Sequence, residues 1–117
     1  MDRPFDLDIR KNCVILTPLI SEFNLYVSAA IREQIVGAAA HPVDVLIMKC
    51  GKISSIDSAG IGGIIAAQLN IRKEGKELRL IEVPDPILKT IRMLKLENQL
   101  RVFFNLQEAL NAPMQSP

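Results

Sequence analysis

The chain has 117 residues, 49% hydrophobic and 23% charged, the length and balance of one globular domain and not of a disordered segment. Its 14 Lys and Arg nearly cancel its 13 Asp and Glu, so no long-range field draws it to nucleic acid or to an anionic membrane. Aromatic residues are only 4% and Trp is absent, which argues against a platform for stacking bases.

The opening Met1-Asp2-Arg3-Pro4-Phe5-Asp6 has no apolar run behind its charges and is unlike a secretory leader. Residues 5–10 then alternate, with Phe5, Leu7 and Ile9 set against Asp6, Asp8 and Arg10, which predicts a half-buried strand. Lys11-Asn12 makes a turn into a second strand over 13–17, giving a hairpin. Asn24 is expected to cap a helix whose inner face carries Val27, Ile31, Ile35 and Ala38, with Arg32 and Glu33 outside. Pro42 closes that segment, and the apolar run 43–48 predicts a central strand.

Ser58 is expected to open the next helix, with Ile61, Ile64, Ile65 and Leu69 as its stripe and Gly75 as its C-terminal stop. Residues 77–83 predict a strand. Asp85-Pro86 predicts a capped helix start followed by a stripe of Ile87, Ile91 and Leu94. A short strand over 100–104 follows. Asn105 and Glu108 then have the spacing of a capping box for a last helix. The order is β-β-α-β-α-β-α-β-α, an α/β class with a mixed, mostly parallel sheet and helices packed against it. One domain spanning residues 1–117 is expected, with its core at about 5–112 and a tail over 113–117 that frays. Met93, Leu96 and Phe104 read as core or interface, with core the favoured reading.

Two cysteines, Cys13 and Cys50, lie far apart and without Cys-x-x-Cys spacing, and they predict buried thiols in a reducing compartment. His41, the only histidine, stands before Pro42 and reads as a loop residue, so neither a metal site nor a cofactor is expected. The longest uncharged stretch, 58–71, is too short to span a bilayer. A soluble, cytoplasmic protein is the expectation, with no membrane insertion and no direct nucleic-acid contact.

The densest signal is Ile53-Ser54-Ser55-Ile56-Asp57-Ser58-Ala59-Gly60-Ile61-Gly62-Gly63. Its glycines lack the third glycine of a dinucleotide fingerprint and the Gly-Lys-Ser/Thr of a phosphate loop. They predict close packing, with Gly62 and Ala66, and Gly63 and Ala67, forming a smooth helix face against the sheet. Ser58 lacks the Gly-x-Ser-x-Gly setting, and no histidine stands near it in sequence, so no catalytic residue is assigned. A plain helix cap is one role for Ser58, worth about 1 kcal/mol. A phosphorylated hydroxyl at the positive end of a helix is the other. The polar cluster beside Ile53, Ile56 and Ile61 is suited to docking a protein.

The hairpin, the Asn24 helix start, the apolar strand, the Ile56-Asp57-Ser58-Ala59-Gly60 turn and the closing Phe103-Phe104-Asn105-Leu106-Gln107-Glu108-Ala109-Leu110 together resemble the STAS domain, and within it the bacterial anti-sigma-factor antagonists. That resemblance implies that Ser58 is phosphorylated by a partner that is both anti-sigma factor and serine kinase. It also implies that the unphosphorylated form binds that partner and frees a sigma factor, and that a serine phosphatase reverses the modification. The partner-facing residues would be Asn24, Ser55, Asp57, Ser58, Ala59, Gly60 and Ile61. The pattern departs from the family where Ser21-Glu22-Phe23-Asn24 replaces Gly-Glu-Leu-Asp, where Lys49-Cys50-Gly51 replaces Asp-Leu-Ser, and where Ala59 replaces a second serine. Competing readings are a constitutive STAS subunit of a lipid-transport ATPase or a stress-signalling scaffold, a small-ligand or nucleotide sensor, and a weak homodimer.

Overall fold

The computed structural model describes residues 4–115. Met1, Asp2 and Arg3, which belong to the segment read as unlike a leader, lie outside the described residues, as do Ser116 and Pro117 of the expected tail. The elements run β1 (Phe5–Ile9), β2 (Cys13–Pro18), β3 (Glu22–Phe23), α1 (Ser28–Ala38), β4 (Val45–Lys49), β5 (Ser55–Ile56), α2 (Ser58–Arg72), β6 (Glu77–Ile81), α3 (Asp85–Met93), β7 (Arg101–Phe103) and α4 (Leu106–Asn111). The expected order therefore holds, with the two-residue strands β3 and β5 added.

The main sheet has the order β1-β2-β4-β6-β7. β1 is antiparallel to β2, with Leu7 opposite Leu16, and the remaining pairs are parallel. Each crossover steps one place in the same direction. Right-handed crossovers then put α1, α2 and α3 on one face. Val14, Leu16, Leu46, Met48, Leu78 and Leu80 point into that face and meet Ile31, Ile35, Ile64, Ile71, Ile87 and Ile91. Each fully buried side chain of this size is worth about 1.5–3 kcal/mol. The opposite face carries Cys13, Ile15, Ile47 and Ile81, covered by Ala109, Leu106 and Leu110 of α4. Because the strand order never reverses, the sheet has no switch-point crevice of the kind that holds nucleotides in doubly wound folds.

Several expected core residues are outside. Leu7 and Ile9 are 40% and 55% exposed, because β1 is an edge strand that the helices cover only at Phe5. On α2 the buried side runs through Ile61, Ile64, Ala67, Gln68 and Ile71, and it leaves Leu69 in solvent. Gln68 replaces it inside for a reason of hydrogen bonding. Its amide donates to the Leu78 carbonyl at 2.9 Å and accepts from the Leu78 N–H at 2.8 Å, just before β7 begins to pair at Arg79. Leu94, Met93 and Phe104 are also exposed, against the expectation of core positions, while Leu96 is half-buried.

Element ends follow local chemistry. α2 stops where Gly75 adopts φ 78°, with the Lys76 N–H bonded to the Ile71 carbonyl and the Gly75 N–H to the Arg72 carbonyl. β6 ends at Ile81, short of the expected Val83, because Glu82 turns to φ 55°. The cap of α3 is Pro84, and Asp85 is the first helical residue. At α4 the Asn105 half of the expected capping box forms, and the return bond from Glu108 goes one residue further back, to Phe104. Asn105 accepts from the Glu108 N–H at 2.9 Å, and the Glu108 carboxylate accepts from the Phe104 N–H.

The C-terminal tail is not frayed where it is described. Arg101 donates to the Pro113 carbonyl at 2.8 Å, and the Gln115 N–H donates to Glu77 at 3.0 Å. Arg79 bonds the Ala109 carbonyl and lies against the Met114 sulfur. Glu77 also accepts from Arg79 and Arg101, so two guanidiniums and one carboxylate staple residues 109–115 to the sheet.

Candidate functional site

β5 delivers the chain from the sheet region into α2, and the turn between them is set by Asp57. Its backbone is extended, at φ −106° and ψ −178°, and its Oδ1 accepts from the Gly60 N–H at 2.8 Å. Asp57, not Ser58, is therefore the cap. An acidic cap also complements the positive end of this 15-residue helix. Ser58 is the first helical residue. It is exposed, and nothing among the described residues bonds its Oγ. The local structure thus uses Asp57 as the cap and leaves the Ser58 hydroxyl exposed to solvent.

β3 holds this turn in place. Glu22 and Phe23 pair with Ser55 and Ile56, and the Asp57 N–H donates to the Phe23 carbonyl at 3.0 Å. Ser21 adds a carbonyl that accepts from the Ser54 and Ser55 N–H groups and from the Ser54 hydroxyl. A Cβ on Gly60 would stand 2.2 Å from the Phe23 carbonyl oxygen, so glycine permits the close approach. A Cβ on Gly63 would stand 2.8 Å from the Ser28 carbonyl oxygen. The expected smooth glycine face therefore exists at Gly60, Gly63 and Ala67, but it meets β3 and α1, and Gly62 is open to solvent. Ser28 Oγ donates to the Ala59 carbonyl at 3.0 Å and ties the two helix starts together.

Asn24 does not cap α1. Its side chain accepts from the Tyr26 N–H at 3.0 Å and its carbonyl from the Val27 N–H, so it fixes a turn, and Val27 precedes the helix without a side-chain cap. That turn puts Leu25 and Tyr26 outside, at 71% and 92% exposure, next along the chain from the strand that pairs with Asp57's own segment. Sequence reading passed over both residues. Their signal was that neither falls on the Val27, Ile31, Ile35 face. Of the expected partner-facing set, Ser55, Asp57 and Ser58 are exposed, and Asn24 and Ala59 are half-buried. Gly60 and Ile61 are buried beneath them, where they support the surface.

Among the described residues no side chain is hydrogen-bonded to the Ser58 hydroxyl, and the lone histidine is remote from it. Lys76 holds the His41 carbonyl beyond the far end of α2, about 20 Å along the helix from Ser58. Burial pushes the Cys50 thiol up to about 12, with the charge of Glu82 adding to the shift. Cys13 is also raised, chiefly by burial. Among the described residues no group of three or more His, Cys, Asp or Glu could hold a metal ion. Among the same residues no helix is long and apolar enough to cross a membrane.

The STAS domain profile matches residues 4–109, nearly the whole chain. The chain belongs to the STAS domain family. No curated protein matches it in sequence. Among solved structures, this STAS domain is similar to the anti-sigma factor antagonist SpoIIAA of Bacillus. The unphosphorylated form matches at 19% identity and a TM-score of 0.71, over 92% of this chain and 93% of that one. SpoIIAA in its phosphorylated form matches with a TM-score of 0.64. An anti-sigma factor antagonist from Mycobacterium paratuberculosis matches at 15% identity and a TM-score of 0.75, over 91% and 89% of the two chains. A sulfate transporter family protein from Wolinella succinogenes matches at 20% identity and a TM-score of 0.73, over 88% and 85%. At these identities the likeness is one of fold, and the fold is shared by antagonists and transporters alike.

Proposed function

We propose that this STAS domain is an anti-sigma-factor antagonist, a binding module whose grip on an anti-sigma factor is released by phosphorylation of Ser58. The observation that supports this reading most is the division of labour at the start of α2. Asp57 caps the helix, so the Ser58 hydroxyl is exposed and unbonded at its positive end. A phosphate there adds about −1.5 to −2 charges. The helix terminus accommodates that charge, so the fold survives. A partner packed over Ser55, Asp57 and Ser58 must instead strip water from the phosphate, at a cost of several kcal/mol, about the scale of a buried unpaired charge. Asp57 beside it repels an acidic partner surface further. The switch is local and needs no rearrangement of the sheet.

The same reading makes the partner an anti-sigma factor with serine-kinase activity, opposed by a serine phosphatase. Leu25 and Tyr26 supply the apolar part of the surface, since exposed aromatic side chains on rigid turns are typical binding anchors. The test is incubation with ATP and the small serine kinase of the source organism, followed by intact mass and peptide mapping. One phosphate on Ser58, absent from Ser58→Ala, is the expected result. A Ser58 unmodified in cells across growth and stress conditions would move the function to a constitutive subunit of a transport or scaffold assembly.

A further inference from the structure

From Ser58 to Ile71, α2 carries no charged side chain. A surface helix ordinarily turns a charged face to water, and one that is apolar all round is covered on both sides. The sheet and α1 cover only the inner side of α2. At about 100° per residue, the opposite side is one stripe of Ser58, Gly62, Ile65, Ala66, Leu69 and Lys73. Gly62 and Lys73 are exposed, Ile65 and Ala66 are half-buried, and Leu69 is 54% exposed. No atom lies within 4 Å of the place a Cβ on Gly62 would take.

This stripe complements itself in shape. Gly62 and Ala66 are its hollows, and Ile65 and Leu69 are its ridges. Place a two-fold axis between residues 65 and 66, with two copies of α2 antiparallel. Each Leu69 then lies over the second copy's Gly62, and each Ile65 lies against its Ala66. The stripe complements itself in charge as well. Lys73 is its one charged residue, and among the described residues no ion pair engages it. Arg72 beside it is already held by Gln115 at 2.7 Å. The same axis brings Lys73 to the second copy's Ser58, next to the acidic cap Asp57. Glu74 points about 100° away from the stripe, so it sets no carboxylate against that cap. Antiparallel helices also bring opposite dipole ends together.

The geometry points to a second copy of this chain as the occupant: the outer face of α2 forms an antiparallel, two-fold dimer, with Leu69 in the second copy's Gly62 hollow and Lys73 against its Ser58. One patch that supplies both ridge and hollow, and both charge and counter-charge, is what an isologous contact requires. The stripe is only about 22 Å long, so the dimer is weak and reversible. Ser58 lies inside it. Self-association therefore competes with any partner that packs over Ser58, and negative charge at Ser58 tightens the dimer through Lys73. The inference needs neither a kinase nor an anti-sigma factor, so its failure and the failure of gating at Ser58 are separate results.

The test is analytical ultracentrifugation of the full chain alone. The mass should be that of one copy at about 1 µM and should approach two copies by about 500 µM, the range of a small transient interface. Over that range the amides of Gly62, Ile65, Ala66 and Leu69 should shift in nitrogen-15 spectra. Leu69→Lys changes an exposed side chain, so it should keep the fold by circular dichroism and stay at one copy throughout. Lys73→Glu should weaken the dimer about threefold to tenfold, and Ser58→Asp should tighten it by a similar factor, since the two-fold axis counts each pair twice. Ser58→Asp with Lys73→Glu should lose that gain. A mass of one copy at every concentration, a dimer that persists in Leu69→Lys, or a Ser58→Asp dimer no tighter than the parent would overturn the proposal.

Discussion

Gly60→Ala should destabilise the domain by about 3–4 kcal/mol, whereas Gly62→Ala, two residues on in the same helix, should stabilise it. The added methyl at position 60 would sit 2.2 Å from the Phe23 carbonyl oxygen, 2.6 Å from its carbon and 2.9 Å from its Cβ. Two of those atoms are backbone in a paired strand and cannot swing aside. Relief needs α2 and β3 to part by about 1 Å, an overpacking cost near the upper end of roughly 1–3 kcal/mol. That movement pulls on the Asp57 to Phe23 and Ser28 to Ala59 hydrogen bonds, each 3.0 Å long and each worth about 1 kcal/mol. Helix propensity returns about 1 kcal/mol for replacing glycine by alanine. At Gly62 nothing lies within 4 Å of the new methyl, so only the gain of about 0.5–1 kcal/mol remains. Urea unfolding followed by circular dichroism reads both. A Gly60→Ala midpoint equal to the parent, or a Gly62→Ala loss above about 1 kcal/mol, would refute the packing argument.

Glu77→Gln leaves Arg79, which is buried, and Arg101 without their carboxylate, and it should cost about 3–5 kcal/mol in urea unfolding; a loss under about 1 kcal/mol would contradict the staple. Burial alone would raise the Glu77 carboxyl, but hydrogen bonds from Gln115, Arg101 and Arg79 and the Arg79 charge outweigh it and hold it below its usual value of 4.5. Its contribution is thus complete above that value and is lost as pH falls through the lowered one, so the parent should lose stability on acidification more steeply than Glu77→Gln. Cys50, at about 12, should not react with a disulfide reagent at pH 8 until the chain is unfolded; prompt labelling of the native protein would show the thiol to be accessible. Tyr26→Ala should change stability by less than about 0.5 kcal/mol yet weaken partner binding by about 1–2 kcal/mol, as measured by calorimetry.

Periodicity carried the architecture. The alternation at 5–10, the apolar run before Lys49 and the helical stripes around Ile31, Ile64 and Ile91 suffice to place the sheet and its helices, because each pattern reports a face buried by a long element. What escaped was decided by neighbours in space. Leu7, Ile9 and Leu69 are as apolar as the core, and only position at an edge or on an outer helix face exposes them. Gln68 is polar and buried because it completes the hydrogen bonding of Leu78, a residue ten positions away. The β3–β5 pair, two residues a side, is too short to show any period. At the site, Asp57-Ser58 marked the helix start, but which residue caps it depends on the Asp57 backbone and on the Gly60 N–H. The tail residues Pro113, Met114 and Gln115 read as a frayed end because their partners, Arg101, Arg79 and Glu77, are remote in sequence.

The most direct test of the central claim is calorimetric titration of the source organism's anti-sigma factor with the unmodified domain and with the domain phosphorylated at Ser58. Tight binding of the unmodified form is predicted, with a loss of at least about 100-fold on phosphorylation and a melting temperature that stays within a few degrees. Equal affinity of the two forms, with both folded, would contradict gating at Ser58.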